Sequence, residues 1–368
     1  MKRFIILILL SVHIGLALGT DYSRIDKQSE TVPANLRTAK DIARYLTRNL
    51  TTPTEKARAI YFWITHNINY DISKLSTNYS YSDPQELVDE ALQKRKGVCA
   101  NYAALFHACC QSVGVQSYVI EGYTRQNGKV LPIGHAWNAV KIENHFYNVD
   151  ATFAAGFVEN NKFTRHFRDM QFMILPDEFI KTHMPFDPIW QFLSTPVSFK
   201  DFDNDNFEKA SKIGRFNFSD SINQLTTLNT KEKLKREKLR IIRGGTANKL
   251  VSERLTNLSD HIASEEVGTE TANFNQAVSL FNEGVLIYNK YVSTLQKGKG
   301  ITTATAPKFL EALNASREKT VEASALMSKI KSKDPKLNNE ISTFRKNIEK
   351  KLASIDMEIS TTKKISGE

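Results

Sequence analysis

Apolar residues recur along the first half of the chain at two spacings, and each spacing predicts a kind of element. Residues 34–50 read as a helix. Thr52-Pro53-Thr54-Glu55 then supplies an N-cap, a proline at the first helical position and a capping-box glutamate. Ala57, Ile60, Tyr61 and Ile64 follow at helical spacing. Asp83-Pro84-Gln85-Glu86 repeats the start signal, with Leu87, Ala91 and Leu92 behind it. Gly97-Val98-Cys99 opens a further helix whose apolar face is Ala103, Phe106, Cys110 and Val113, and Gly114 ends it. Residues 118–122, 135–142 and 146–150 read as strands. Helices followed by an antiparallel sheet make an α+β arrangement, with the helices packed on the sheet.

The pattern changes after residues 201–206, a polar stretch. Phe274, Val278, Phe281, Val285, Tyr288, Val292 and Leu295 alternate steps of four and three, a heptad-like seam. Ile341, Phe344, Ile348, Leu352 and Ile355 form a second helical stripe. Gly244-Gly245 and Lys297-Gly298-Lys299-Gly300 are breaks between helices. Residues 20–204 are therefore expected to form the α+β domain, and 205–368 an all-α domain or bundle.

The N-terminus reads differently again. Lys2 and Arg3 precede about fifteen mostly apolar residues, 4–18, too few to span a bilayer comfortably. Ala17 and Gly19 occupy the −3 and −1 positions of a cut before Thr20. Residues 1–19 read as a signal peptide and 20–33 as a polar, mobile lead-in. The expected location is exported, periplasmic or secreted, with a bacterial envelope preferred.

The formal charge of +10 is spread widely. It favours contact with anionic surfaces such as a cell envelope. No aromatic-interleaved basic stripe, helix-turn-helix or zinc-finger spacing accompanies it, so no nucleic-acid partner is expected. Three cysteines, Cys99, Cys109 and Cys110, are too few and too clustered for a disulfide framework. Cys109 and Cys110 read as small core hydrophobes. Cys99 sits in the first turn of its helix, where unpaired N–H groups and the helix dipole favour a thiolate, and Gly97 before it lets the backbone approach a substrate closely.

A cysteine nucleophile needs a base beside it and a group to orient that base. His135 opens one strand, and the next returns to Asp150 after the short Glu143-Asn144 turn. With a two- or four-residue loop, His135 and Asp150 lie on one face as diagonal neighbours, roughly 7–8 Å apart at Cα. A three-residue loop would put them on opposite faces.

Residues 95–103 (Arg-Lys-Gly-Val-Cys-Ala-Asn-Tyr-Ala), 134–138 (Gly-His-Ala-Trp-Asn) and 147–152 (Tyr-Asn-Val-Asp-Ala-Thr) resemble, in that order, the three motifs of the transglutaminase-like superfamily. Residues 172–177, His183-Met184-Pro185 and residues 187–191 downstream, with 61–64 and 68–71 upstream, resemble the branch of kyphoscoliosis peptidase and the yeast-type cytokinesis proteins. The resemblance covers roughly residues 40–195. It implies a papain-like arrangement with Cys99 as nucleophile, His135 as general base and acid, and Asp150 as orienter. Two tryptophans common in the third motif are Phe146 and Phe153 here, which bears on substrate fit. The oxyanion-hole side chain has no placement, and the backbone N–H of Cys99 is the donor expected. His183 is expected to be a structural anchor.

The expected chemistry is acyl transfer through a thioester on protein or peptide amides, leaning towards hydrolysis, with no cofactor and no metal. Residues 201–205 mimic the first half of an EF-hand loop, but Asn206 and Lys212 stand at the sixth and twelfth positions, where Gly and Glu are required. That run reads as a solvated acidic linker. The competing reading is a catalytically weak or inactive scaffold that binds an envelope or extracellular partner, with the helical half recruiting a protein.

Overall fold

The computed structural model describes residues 21–74, 83–207, 215–245, 248–296, 300–332 and 335–367. The signal-peptide reading of residues 1–19, the break at Lys297–Lys299 and Lys212 lie outside the described residues. No helix among the described residues is long and apolar enough to cross a membrane.

Contacts divide the chain into two units: residues 1–227 with 237–255, and residues 228–236 with 256–368. The first opens with a helix, α1 (Ser23–Ser29), where a mobile lead-in was expected. Ile25 anchors it in the core. Asp26 accepts two hydrogen bonds, at 2.8 and 2.6 Å, from the buried guanidinium of Arg58, so a buried charge has its partner. α2 (Ala39–Thr47) is shorter than predicted and capped by Thr38, whose hydroxyl accepts from the Asp41 N–H. α3 (Pro53–Asn67) carries the full capping box of Thr52 and Glu55. α4 (Pro84–Lys94) is capped by Asp83. α5 (Cys99–Ser112) buries Tyr102, Leu105, Phe106, Cys109 and Cys110 among residues of the three helices before it.

Short strands β1 (Asn69–Tyr70) and β2 (Lys96–Gly97) pair in parallel just before α5. The main sheet has β3 (Ser117–Gln126), β4 (Lys129–Ile142) and β5 (His145–Val149). Two-residue turns join them, with positive φ at Asn127, Gly128 and Glu143 as hairpin turns of this length require. Ile142 pairs with His145, the two-residue register. A five-residue helix, α6 (Ala151–Ala155), and a hairpin of β6 (Gly156–Glu159) and β7 (Lys162–Arg165) follow. After a single helical turn, α7 (Pro176–Phe179), strand β8 (His183–Pro185) joins the far edge, giving the order β5-β4-β3-β8. Gly122 permits that last pairing, since a Cβ there would lie 2.1 Å from the Met184 carbonyl oxygen. The α+β order expected from the sequence is the one the chain adopts.

Residues 201–205 are not a solvated linker. α8 (Phe199–Asp203) buries Phe199 and Phe202. Tyr123 donates to Asp203 at 2.9 Å, and Arg125 pairs with Asp205. The acidic side chains have protein partners because two buried phenylalanines draw this turn onto the sheet. α9 (Phe218–Leu225) adds Ile222 to a cluster with Ile120, Trp137, Phe146 and Phe192.

Helices α10 (Thr230–Gly244) and α11 (Lys249–Gln296) are separated at the Gly244-Gly245 break. In the second unit, α11 from Thr256 onward meets α12 (Ala306–Ser328) and α13 (Pro335–Ser366). Phe274 and Phe281 of the heptad-like seam pack with Ile341, Phe344, Ile348 and Leu352. Tyr288, Val292 and Leu295 pack with Ile355. The two stripes cover each other within the chain.

Candidate active site

Cys99 is the first residue of α5, and the loop before it is locked by Asn101. The Asn101 side chain accepts from the Val98 N–H at 2.9 Å and donates to the Leu87 carbonyl at 3.0 Å and to Glu90 at 3.2 Å. This arrangement accounts for Gly97 differently from the sequence reading. A Cβ on Gly97 would lie 2.5 Å from that of Asn101, so the glycine makes room for the lock. Cys99 is half-buried, whereas Cys109 and Cys110 are fully buried. Burial pushes the Cys109 thiol up to about 12 and Cys110 well above its ordinary value, as suits inert core groups.

His135 lies on β4 opposite Gly122 of β3. Three residues along, Asn138 donates to the Ala103 carbonyl of α5 at 3.0 Å, which ties the strand of the histidine to the helix of the cysteine. The Cys99 sulfur also acts on the imidazole, in the direction that favours its protonated form. Nε2 of His135 faces Asp150 Oδ2 at 2.8 Å. Burial alone would pull the imidazole down, but the Asp150 carboxylate and the Cys99 sulfur outweigh it and raise it to about 10. Phe153 stacks on the ring, with centroids 4.5 Å apart.

Asp150 falls just beyond β5, where it caps α6. Its Oδ1 accepts from the N–H groups of Thr152 and Phe153 at 2.8 and 2.9 Å. Its Oδ2 accepts from His135 and from His183 Nε2, the latter at 3.1 Å. Burial pushes this carboxyl up, but the two histidines outweigh it and hold it well below the usual carboxylate range. Four donors make a fully buried carboxylate tenable.

His183 is the residue whose part the sequence understates. It comes from β8, pairs at Thr124 in the backbone register, and is buried. Its ring stacks on Phe179 at 3.9 Å and lies edge-on to Trp137 at 5.3 Å. Burial lowers its basicity more than Asp150 raises it, and its Nε2 donates to the Asp150 carboxylate. Thr182 Oγ1 sits 2.8 Å from Nδ1, at the other side of the ring.

The donor atoms of His135, Asp150 and His183 lie within 4.8 Å of one another, a set of a kind that can hold a metal ion. Their geometry does not suit one. Two separations, 2.8 and 3.1 Å, are of hydrogen-bond length, shorter than the roughly 3.3 Å between ligand atoms around tetrahedral zinc.

A cysteine on a helix start, a histidine on a strand and a buried aspartate beyond the next strand meet in one place. The model of the transglutaminase-like superfamily matches residues 40–151. Those residues belong to the transglutaminase-like superfamily. Human kyphoscoliosis peptidase is 34 % identical over 168 residues, 43 % of this chain and 25 % of that protein. Cytokinesis protein 3 of Schizosaccharomyces pombe is 26 % identical over 187 residues, 48 % of this chain and 20 % of that protein. Hillarin of Drosophila melanogaster is 26 % identical over 196 residues, 47 % of this chain and 23 % of that protein. The chain thus spans about a quarter or less of the length of these curated relatives. The transglutaminase-like match ends before β8, so His183 lies outside it.

Proposed function

We propose that the chain is a thiol-dependent acyl-transfer enzyme acting on protein or peptide amides, with Cys99 as nucleophile, His135 as acid and base, and Asp150 as orienter. The observation that carries this reading is the continuous line from Cys99 through His135 to an Asp150 carboxylate held by four donors. His135 holds the proton that the thiol gives up. The sulfur attacks the amide carbonyl, and the oxyanion takes a hydrogen bond from the Cys99 N–H. As the C–N bond breaks, His135 passes its proton to the departing amine, leaving a thioester and a neutral imidazole. Water, or a second amine, then gives a proton to His135 and attacks the thioester, and the sulfur leaves.

Hydrolysis is the favoured outcome. Similarity to a protein named a peptidase supports a peptide substrate. The export reading rests on residues 1–19 and places the reaction outside the cytosol. The test is acylation by p-nitrophenyl acetate followed by mass spectrometry. Wild type should carry one hydroxylamine-labile acetyl group on Cys99, and Cys99→Ala and His135→Ala should carry none there. Equal acetylation of wild type and His135→Ala would contradict the proposal and favour the scaffold reading.

A further inference from the structure

A cavity of about 290 Å³ opens beside His135, and much of its wall is apolar. One wall is the stretch of β4 carrying Leu131 and Ile133, and the other is the β6–β7 hairpin with Phe157, Val158 and Phe163. Ile133, Phe157 and Val158 are 46 %, 37 % and 42 % exposed, although each is a large apolar side chain. Isolated exposed apolar residues need no explanation, but three around one cleft next to a reactive centre mark a binding surface.

The hairpin wall is held in place. Asn160 and Asn161 both take positive φ, as a tight two-residue hairpin requires. Arg165 donates to the carbonyls of Thr65 and Ile68 and to Asn69 Oδ1, fixing β7 against the end of α3. The apolar residues therefore face the cleft without having to be ordered by a ligand.

Charge selects further. Arg125 and Lys181, in a neighbouring depression of about 400 Å³, pair with Asp205 and Glu178. Arg168 lines both cavities, its guanidinium 6.0 Å from the Phe157 ring, and has no acidic partner among the described residues.

We propose that this cleft is a substrate subsite that takes one large apolar side chain of a peptide, with a carboxylate of the same peptide meeting Arg168. The assignment rests on the acyl-transfer reading, because it makes the cleft, which His135 lines, the place that holds the peptide beside the reacting pair. The volume, near the lower end of the roughly 300–1,000 Å³ typical of ligand pockets, fits an extended segment rather than a folded surface.

The test uses full-length Cys99→Ala protein, which binds without turnover, and isothermal titration calorimetry. The peptides are acetyl-Glu-X-Gln-X-Glu-amide and acetyl-Lys-X-Gln-X-Lys-amide, with X as Phe, Leu or Ala. In the Glu series, Phe and Leu should bind on the order of tenfold or more tighter than Ala. The Lys series should bind more weakly throughout. Adding Ile133→Ser or Phe157→Ser should abolish the apolar preference, and adding Arg168→Gln should abolish only the preference for Glu. Thermal melting of each variant verifies folding. A flat response to X, binding undetectable up to about 1 mM, or preferences that survive these substitutions would overturn the subsite. Because binding is read without chemistry, failure of the acyl-transfer reading alone would leave the apolar and acidic preferences intact.

Discussion

The two units treat polar side chains in opposite ways. In the first, Arg58, Asn101, Asn138, Asn148, Asp150, His183, Asp187 and Gln191 are all buried. In the second, the buried polar groups among the described residues are Ser316, Thr320 and Thr362, small hydroxyls on helices. Ser316 donates to the Gly284 carbonyl at 2.7 Å and Thr320 to the Ser316 carbonyl at 2.8 Å, so they satisfy backbone and let helices approach. Burying a carboxylate or an amide costs several kcal/mol unless it is paired. A region that keeps many such groups uses them to set positions. One that keeps only hydroxyls is packed for shape. The proposed active site belongs to the first unit and the packing seam to the second.

That contrast can be tested from its largest expected effect downward. Cys99→Ala should reduce acylation by p-nitrophenyl acetate on the order of 10³-fold or more and leave the melting temperature nearly unchanged, since Cys99 is only half-buried. Asp150→Ala strips four donors of their acceptor and should destabilise the protein by roughly 3–5 kcal/mol in urea unfolding. Tolerance of that change would break the claim that buried polar groups hold this unit together. Ile348→Ala in the second unit should cost about 3 kcal/mol by leaving a cavity while Cys99 labelling stays at the wild-type rate. Slowed labelling would show that the seam matters to the thiol.

His183→Phe keeps an aromatic ring on Phe179 but removes a donor to Asp150. Acylation should fall by up to about 10²-fold through misplacement of His135, with partial rescue in His183→Gln. The smallest effect is on pH dependence. His135 is raised from 6.5 to about 10 on folding. Its contribution to stability is fully present below pH 6.5 and lost as pH rises through about 10. Asp150 is lowered from 3.8, so its contribution is present above pH 3.8 and lost as pH falls further. The melting temperature should therefore decline on the alkaline side between these His135 values, and His135→Ala should lack that part of the decline.

Much of the site was legible because it is written in local signals. The start of α5, the motif order around Cys99, His135 and Asp150, and the hairpin register at Glu143-Asn144 each depend on a few neighbouring residues. His183 was not legible in the same way. Its contact with Asp150 exists because β8 pairs with β3, and that pairing depends on the missing Cβ of Gly122, 61 positions away (183 − 122). The acidic run at 201–205 looked like a linker because its charges are conspicuous, and the buried Phe199 and Phe202, three residues apart on one helical turn, are not. The β6–β7 hairpin went unread although Asn160-Asn161 is a turn signal, because its strands are four residues each with three exposed positions in β6. Helix α1 depends on Asp26 finding Arg58, a long-range pairing that local composition does not reveal.

The central claim is a working thiolate–imidazolium pair, and iodoacetamide labelling of the full-length protein across pH 4 to 9 tests it most directly. Cys109 and Cys110 are buried and should stay silent. Rapid labelling of Cys99 well below about pH 7, shifted upward or lost in His135→Ala, is the result predicted. Labelling that rises only near about pH 8.5 and is unchanged in His135→Ala would contradict it.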